Sequence, residues 1–243
     1  SIAVEEQLRS ERLKTELITN VSHDIKTPLT SIVNYVDLLQ RPHTPEQEAE
    51  YLEVLARQSR KLKKLTEDLV EMSKASVGSL PCHPAPRRVK ELVEQAVGEY
   101  ADRLAAARLE PVLSLPEDGV ACMADGALIW RVLDNLLGNA CKYAQPGTRL
   151  YIGGEADGRT VTLSFKNISR DALNISADEL MERFVRGDAS RTTEGSGLGL
   201  NIAKSLMELQ GGSLSLSIDG DLFKAQLTLP QARDATLPAP ELL

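Results

Sequence analysis

The sequence predicts a chain of α plus α+β class, in which a long helical hairpin precedes an α/β sandwich domain. Three observations support this prediction: two amphipathic stripes in the first third, a proline-rich stretch after them, and alternating types of element beyond it. A length of 243 residues allows one or two domains. Aromatic residues form only 4% of the chain, which favours long aliphatic helices over an aromatic-rich β fold.

The first helix is predicted over residues 10–40, because apolar side chains recur there at steps of three and four. Pro28 lies inside it, so a kink or local loosening of the helix is expected at that point. Residues 41–45 form a turn, and Thr44 with Gln47 resembles a capping box that starts the next helix. The apolar stripe consists of Leu13, Leu17, Val21, Ile25, Leu29, Ile32, Val36 and Leu39.

The second helix carries an apolar stripe with the spacing of a heptad seam. Alone, a hairpin has too little surface to bury two such stripes. A second copy of the chain completes a four-helix bundle, so we expect a homodimer. The stripe of the second helix consists of Leu52, Leu55, Leu62, Leu65, Leu69 and Met72.

A change of composition marks the domain boundary. Residues 78–86 contain three prolines and a glycine, which is typical of a linker. We therefore assign residues 1–76 to the helical hairpin, 77–86 to the linker, 87–230 to the sandwich domain and 231–243 to a flexible tail.

Helices and strands alternate within the sandwich domain, and strand pairs around Asp157-Gly158 and Asp219-Gly220 predict two β-hairpins. Residues 167–196 are polar and irregular, with a short helical stretch near 178–184, which is typical of a lid. Helices are predicted at 89–107, 127–143 and 198–209, and strands at 110–115, 120–123, 149–155, 160–166, 213–218 and 223–229.

Charge and cysteine content exclude several classes of protein. The net charge is −7 with both signs interspersed, which argues against nucleic acid as a partner. Cys82, Cys122 and Cys141 form no paired motif, so we expect a reducing compartment without a disulfide framework or zinc site. No apolar run approaches the ~20 residues of a membrane helix, and no signal peptide opens the chain. The chain starts at Ser1 just before a helical pattern, so we expect it to be a piece of a longer protein.

The first motif with chemistry is SHDIKTPL, on the first helix. His23 lies off the apolar stripe and is expected to face solvent. A neighbouring carboxylate, here Asp24, can take or orient the ring proton and make the other nitrogen a better nucleophile. A solvated helix histidine with an incidental acidic neighbour is the alternative, and it is the commoner case for an isolated pair.

The second motif is NLLGNACKY, on a predicted helix. Its four polar residues Asn135, Asn139, Lys142 and Tyr143 share one helix face by their spacing. Amide oxygens suit Mg²⁺, lysine suits phosphates, and tyrosine offers a flat surface or a hydroxyl donor. The alternative is a polar helix face without a ligand.

The third motif is GSGLGL, residues 195–200, directly before a helix. Glycines permit close approach of the backbone, and the free N–H groups of a helix N-terminus attract an anion. The motif therefore predicts a phosphate cradle, although its spacing differs from the dinucleotide fingerprint and from a Walker loop. A flexible loop is the alternative.

Together, in this order, these motifs resemble those of the sensor histidine kinases over residues 11–229. SHDIKTPLTSI is similar to the family's H box, DNLLGNACKY to its N box and ERFVRGD to its F box. GSGLGL is similar to the G2 box of the ATP-binding fold shared with gyrase, the Hsp90 chaperones and MutL. The resemblance implies a dimerisation and phosphoacceptor domain followed by an ATP-binding domain. It also implies a kinase that uses ATP and Mg²⁺ and passes its phosphoryl group to a response regulator receiver domain. The family further implies a cytoplasmic portion of a parent anchored in a bacterial cell membrane.

Residue roles follow from the resemblance by position. It implies that His23 is the phosphoacceptor and Asp24 the base that orients it. Thr27 matches the position that places a water for dephosphorylating the partner, and Asn139 matches the magnesium ligand. Arg186 would reach the phosphates from the lid. The nucleotide-binding residues that the resemblance implies are Asn135, Asn139, Lys142, Tyr143, Asn167, Arg186, Gly195, Gly197, Leu198, Gly199 and Leu200.

One departure from the family concerns the D-x-G-x-G box, whose Asp grips the adenine amino group. Asn167 takes the place of that Asp after the strand at 160–166, and the glycines are missing. Asp171 is the less favoured substitute for that Asp, because it lies far past the end of the strand. A neutral amide accepts a weaker hydrogen bond than a carboxylate, so we expect weakened or altered nucleotide binding.

Three other functions stay open on the sequence. The first is a response-regulator phosphatase with little kinase activity, which Asn167 and the missing glycines favour. The second is a mechanical ATPase of the same superfamily, in which the hairpin serves only to dimerise; the motif from His23 to Thr27 argues against it. A non-enzymatic coiled-coil scaffold is the most distant alternative.

Overall fold

A computed structural model describes residue 22, residues 24–76 and 79–173, residue 180, and residues 198–232. The chain divides into two compact units, with the division near the end of the second helix. The helical hairpin and the sheet domain are therefore described separately.

The hairpin consists of helix α1, over residues 24–39, and helix α2, Pro45–Ser76. Helix α1 continues through Pro28, so the loosening expected there does not interrupt it. At the start of α2, the backbone N–H of Thr44 donates to Oε1 of Gln47 at 2.9 Å, and the N–H of Gln47 donates to Oγ1 of Thr44 at 3.3 Å. The predicted capping box is confirmed.

Part of the apolar stripe of each hairpin helix lies on the surface of the single chain. Tyr35 of α1 and Tyr51 of α2 pack edge to face, with ring centroids 5.6 Å apart. Other apolar side chains of the two helices are exposed: Leu29, Val33, Val36, Leu52 and Val70.

The sheet domain is built from short helices and strands in alternation. The helices are α3 (Val89–Glu99), α4 (Ala101–Ala106), α5 (Gly126–Tyr143) and α6 (Gly199–Leu209). The strands are β1 (Ala85–Arg88), β2 (Glu110–Ser114), β3 (Ala121–Ala124), β4 (Arg149–Ala156), β5 (Thr160–Ile168), β6 (Ser213–Asp219) and β7 (Leu222–Pro230).

Five of these strands form a mixed sheet in the order β2-β4-β5-β7-β6, and β1 pairs with β3 in a separate antiparallel ribbon. The predicted β-hairpins β4–β5 and β6–β7 are confirmed, with glycines of positive φ in their turns, Gly158 at 85° and Gly220 at 57°. The sheet is mixed, because β2 runs parallel to β4.

One face of the sheet is buried and the other is partly open. In β5 the side chains of Val161, Leu163, Phe165 and Asn167 are buried, and those between them are partly exposed. Helices α3 and α5 and most of α6 present buried apolar faces of their own. Buried helix and sheet faces make a two-layer sandwich, so the predicted fold class is confirmed.

Several predicted boundaries are corrected by the structure. The single helix expected at 89–107 is divided at Tyr100, which separates α3 from α4 with φ −93° and ψ 1°. Strand β5 extends to Ile168, so Asn167 lies inside the strand and not after it.

The linker and the tail are also shorter than predicted. Ala85 and Pro86, assigned to the linker, pair with Ala124 and Met123 as part of β1. The tail was expected to begin at residue 231. The backbone N–H of Gln231 nevertheless donates to Arg159 O at 2.8 Å, and residue 232 is also hydrogen-bonded to the domain. Most of the predicted lid, residues 174–179 and 181–197, lies outside the described residues.

No helix in the parts of the chain that the structure describes is long and apolar enough to cross a bilayer.

Candidate functional site

Asp125 fixes the start of helix α5, which carries the predicted polar motif. Its Oδ1 accepts hydrogen bonds from the N–H groups of Ala127 at 3.0 Å and Leu128 at 3.2 Å. Its Oδ2 accepts from the N–H of His83 at 2.9 Å, which ties the residues before β1 to the helix. The hydrogen bond from His83 is the main cause that lowers the pKa of the Asp125 carboxyl. A charged N-cap therefore anchors α5 and the incoming chain together.

Helix α5 has one apolar face and one polar face. Its apolar face is buried by Leu128, Ile129, Val132, Leu133, Leu136, Leu137 and Ala140. The predicted site residues Asn135, Asn139, Lys142 and Tyr143 are all partly exposed, and their spacing places them together beside that face. The predicted juxtaposition of these four residues is thus present on the helix.

Asn135 carries an unsatisfied donor. Its Nδ2 atom is buried and, among the described residues, meets no hydrogen-bond acceptor. Buried polar atoms are nearly always paired in folded proteins, so such an atom points to a group that binds there. The amide of Asn139, one turn further on, makes no hydrogen bond within the described part of the chain.

A second set of side chains holds α5 against α3 and α4. The hydroxyl of Tyr100 donates to the carbonyl oxygen of Asp134 at 2.9 Å and to its Oδ1 at 2.5 Å. The guanidinium of Arg103 lies over the Tyr100 ring, 4.3 Å from its centroid. Burial, followed by the bond to Asp134, raises the pKa of the Tyr100 phenol. The phenol thus stays a neutral donor and fixes the helix position directly before Asn135.

The end of β5 adjoins the end of α5. The N–H of Gln145 donates to Ile168 O, and the N–H of Arg170 donates to Tyr143 O, both at 2.8 Å. Asn167, one residue before Ile168, is only 6% exposed. Its Nδ2 donates to the Ile168 carbonyl at 3.3 Å. Asn167 therefore lies buried where strand β5 meets the C-terminal end of the polar helix.

The glycine motif is described only in its second half. Leu198 and Leu200 are buried, and Gly199 begins α6. Asn201, in the first turn of α6, has a buried Nδ2 with no hydrogen-bond partner among the described residues. Gly195, Gly197 and Arg186 lie outside the described residues.

The structure describes two of the three site residues that were predicted on the hairpin. Asp24 and Thr27 lie on α1, where Asp24 is partly exposed and Thr27 exposed. His23 itself lies outside the described residues.

Sequence reasoning missed Asp125, Tyr100 and Asp134, which position the site. Asp125 had a usable signal, because an Asp directly before an apolar helix is a typical N-cap. The bond between Tyr100 and Asp134 spans 34 positions, and no local pattern encodes it.

The donor set fits a magnesium nucleotide. Amide oxygens such as that of Asn139 are the hard ligands that Mg²⁺ takes in small numbers. Lys142 supplies positive charge for phosphates. The buried Nδ2 of Asn135 has no partner among the described residues, and a ligand would provide one.

The fold and this donor set define a nucleotide-binding sheet domain preceded by a helical hairpin. Comparison with protein families agrees with that class. Residues 13–78 match the His Kinase A (phospho-acceptor) domain, and residues 124–233 match the histidine kinase-, DNA gyrase B-, and HSP90-like ATPase family. The chain belongs to the two-component sensor histidine kinases, with a phosphoacceptor and an ATPase domain.

Relatives and solved structures show the same similarity. The sensor histidine kinase GacS of Pseudomonas protegens is 29% identical over 254 residues, which cover 100% of this chain and 28% of GacS. The histidine kinase ThkA, solved in complex with response regulator protein TrrA, has a TM-score of 0.72 at 20% identity, over 95% of this chain and 66% of ThkA. Full-length ShkA, solved in complex with AMPPNP, has a TM-score of 0.63 at 23% identity, over 93% of this chain and 47% of ShkA. At these identities the two structures show a shared fold.

The chain spans between 27% and 59% of the length of four curated relatives that it matches, GacS among them.

Proposed function

We propose that this chain phosphorylates its own His23 with ATP and passes the phosphoryl group to an aspartate of a response regulator. The observation that carries the proposal is the partly exposed polar face of α5, with the unsatisfied amide of Asn135 and the buried Asn167 at its end. The match of residues 13–78 to a phosphoacceptor domain supports the hairpin as the acceptor.

In the nucleotide site, each residue type has a role that its chemistry suits. Lys142 binds phosphate oxygens, and Asn135 donates its free Nδ2 hydrogens to the nucleotide. Tyr143 offers its ring or hydroxyl to the nucleotide, and the loop from Gly195 to Leu200 presents backbone N–H groups. The amide oxygen of Asn139 would hold Mg²⁺, which supplies neutralisation of phosphate charge when bound.

In the hairpin, His23 is the nucleophile. A ring nitrogen forms a bond to the γ-phosphorus while the bond from that phosphorus to the bridging oxygen breaks, and ADP leaves with the electron pair. The proton on the other ring nitrogen passes to the carboxylate of Asp24. In the second transfer, a carboxylate oxygen of the partner attacks the phosphorus and His23 regains its nitrogen lone pair.

The residues before β1 limit where the chain can bend between the hairpin and the sheet domain. The bond between His83 N–H and Asp125 fixes the chain to the sheet domain from residue 83 onward. We place the bend that brings ATP to His23 before that point, in the linker that we assign from residue 77.

Partners follow from the same proposal. The exposed apolar residues of α1 and α2 fit a second copy of the hairpin in a four-helix bundle. The response regulator is proposed by similarity to ThkA, which was solved in complex with response regulator protein TrrA. Membrane anchoring of the parent stays an expectation from the family resemblance of the sequence.

The test is incubation with Mg·ATP labelled on the γ-phosphate. The wild-type protein should take up acid-labile label, and His23→Gln should take up none. His43→Gln, which alters the exposed turn between α1 and α2, is the matched control and should label like the wild type. Equal labelling of His23→Gln, or no label on any folded protein, would contradict the proposal.

A second candidate is a response-regulator phosphatase with weak kinase activity, which the neutral Asn167 favours. Thr27, one turn after His23, would then place the attacking water. Phosphorylated response regulator incubated with the wild type and with Thr27→Ala tests this function. If the regulator loses phosphate faster with the wild type than with Thr27→Ala, this function is supported. Equal rates with the two proteins exclude it.

A further inference from the structure

Asn167 is a buried side chain whose hydrogen-bonding capacity is mostly unused. It is 6% exposed, and its one hydrogen bond in the described part of the chain runs from Nδ2 to Ile168 O over 3.3 Å. Its amide has a second N–H and a carbonyl oxygen, and neither has a partner there. Such a group is normally satisfied by a ligand or by ordered water.

The surroundings of Asn167 indicate which part of a nucleotide reaches it. Its neighbours on the buried face of β5 are apolar, Phe165 first among them, and on β7 its register partner is Phe223. A neutral amide among apolar side chains does not balance the charge of phosphates. The part that matches a buried neutral amide is the polar edge of the base.

We propose that Asn167 makes the nucleotide site tolerant at position 6 of the purine, so that it accepts 6-oxo as well as 6-amino purine nucleotides. This inference rests on the proposed nucleotide site. The two ends of an amide have nearly the same shape and exchange by a half-turn of the side chain. Oδ1 accepts from an exocyclic amino group, and Nδ2 donates to an exocyclic oxygen.

A carboxylate at the same position has no such freedom, since it only accepts hydrogen bonds when ionised. An exocyclic oxygen would face it acceptor to acceptor in a buried place. The half-turn of Asn167 gives up one long hydrogen bond, the one to Ile168 O, and turns Oδ1 toward that carbonyl, so a 6-oxo purine should bind somewhat more weakly than a 6-amino purine. The identity of residue 167 therefore sets the selectivity, while the remaining site residues set the overall affinity.

The experiment compares binding of Mg·ADP and Mg·IDP by calorimetry, since neither nucleotide carries a γ-phosphoryl group to transfer. The wild-type dissociation constants should agree within about tenfold, which is far from the 10⁴-fold or greater rejection of a site built for one hydrogen-bonding pattern. In Asn167→Asp, Mg·IDP should bind at least about 100-fold more weakly than Mg·ADP. Asn167→Ala should bind both more weakly with little preference.

The outcomes separate this inference from the proposed function. A wild-type preference for Mg·ADP of more than about tenfold overturns the inference alone, and so does an unchanged preference in a folded Asn167→Asp. Similar binding of both nucleotides without labelling of His23 overturns phosphoryl transfer and supports the inference. If neither nucleotide binds to the folded wild type, both fail. Far-UV circular dichroism and melting temperature establish that each variant is folded.

Discussion

In the hairpin, Val33 and Leu52 are 52% and 51% exposed, whereas in the sheet domain Ile129 and Ile202 are 0% exposed. The hairpin presents apolar stripes that its own chain leaves partly open. The sheet domain covers one face of its sheet with apolar helix faces and has a core of its own. The sheet domain therefore buries a core within one chain, while the exposed stripes of the hairpin support the second copy that we propose.

The largest effect is expected from a charge among the exposed apolar residues of the hairpin. Val33→Glu would bury an unpaired carboxylate in the bundle between two copies. The dimer dissociation constant should rise at least about 100-fold, equivalent to roughly 2.7 kcal/mol. Analytical ultracentrifugation measures it.

The matched control is Leu113→Glu, because Leu113 is an exposed apolar residue of β2 in the sheet domain. It should leave the dimer unchanged. Dissociation by both variants, or by neither, would remove the distinction between the two units.

A smaller but still large effect is expected in the core of the sheet domain. Ile202→Ala removes a side chain that is 0% exposed and should lower the free energy of unfolding by about 2–5 kcal/mol. Ile168→Ala, at a side chain 40% exposed on the open sheet face, should cost less than about 1 kcal/mol. Urea unfolding followed by the fluorescence of Trp130, the chain's single tryptophan, reports on this domain. Equal losses of unfolding free energy in the two variants would show that Ile202 does not lie in a well-packed core.

The smallest effect concerns Asp125, the residue that caps α5 and holds His83. Asp125→Ala should lower the free energy of unfolding by about 1 kcal/mol at pH 7. The hydrogen bond from His83 lowers the folded-state pKa of Asp125, so its contribution is present above the unfolded pKa of about 3.9 and is lost as pH falls through the folded pKa.

Urea unfolding at pH 7, 5 and 3 tests this sign. The difference in free energy of unfolding between the wild type and Asp125→Ala should stay constant from pH 7 to 5 and become smaller at pH 3. Glu155→Gln, at an exposed position of β4, serves as the control and should show little difference at any pH. If the difference in free energy of unfolding grew as the pH falls, the carboxylate of Asp125 would not be the stabilising form.

Periodicity predicted nearly every element of the fold, since amphipathic spacing and turn residues are local signals. The capping box at Thr44 and the turn glycines Gly158 and Gly220 are of this kind. The parallel pairing of β2 with β4 was not predicted, because it depends on contacts between distant segments. Tyr100, where α3 ends, likewise donates its hydroxyl to Asp134 on another helix, which is a contact between distant segments.

In the candidate site, too, local signals were predicted and contacts between distant segments were not. Helical spacing was enough to bring Asn135, Asn139, Lys142 and Tyr143 together. It was not enough to show that Asn167 lies inside β5 and is buried against the end of α5, because that depends on the pairing of distant segments. The roles of His23 and Arg186 stay predictions.

The proposed function requires that the phosphoryl group of ATP is transferred to His23. Tryptic digestion after incubation with Mg·ATP, under neutral conditions, separates the three histidines into the peptides 15–26, 27–57 and 75–87. Mass spectrometry should find the added phosphoryl group on peptide 15–26, which contains His23, and not on the peptides of His43 or His83. Phosphorylation confined to either of the other peptides, or to a hydroxyl side chain of peptide 15–26, would contradict the account.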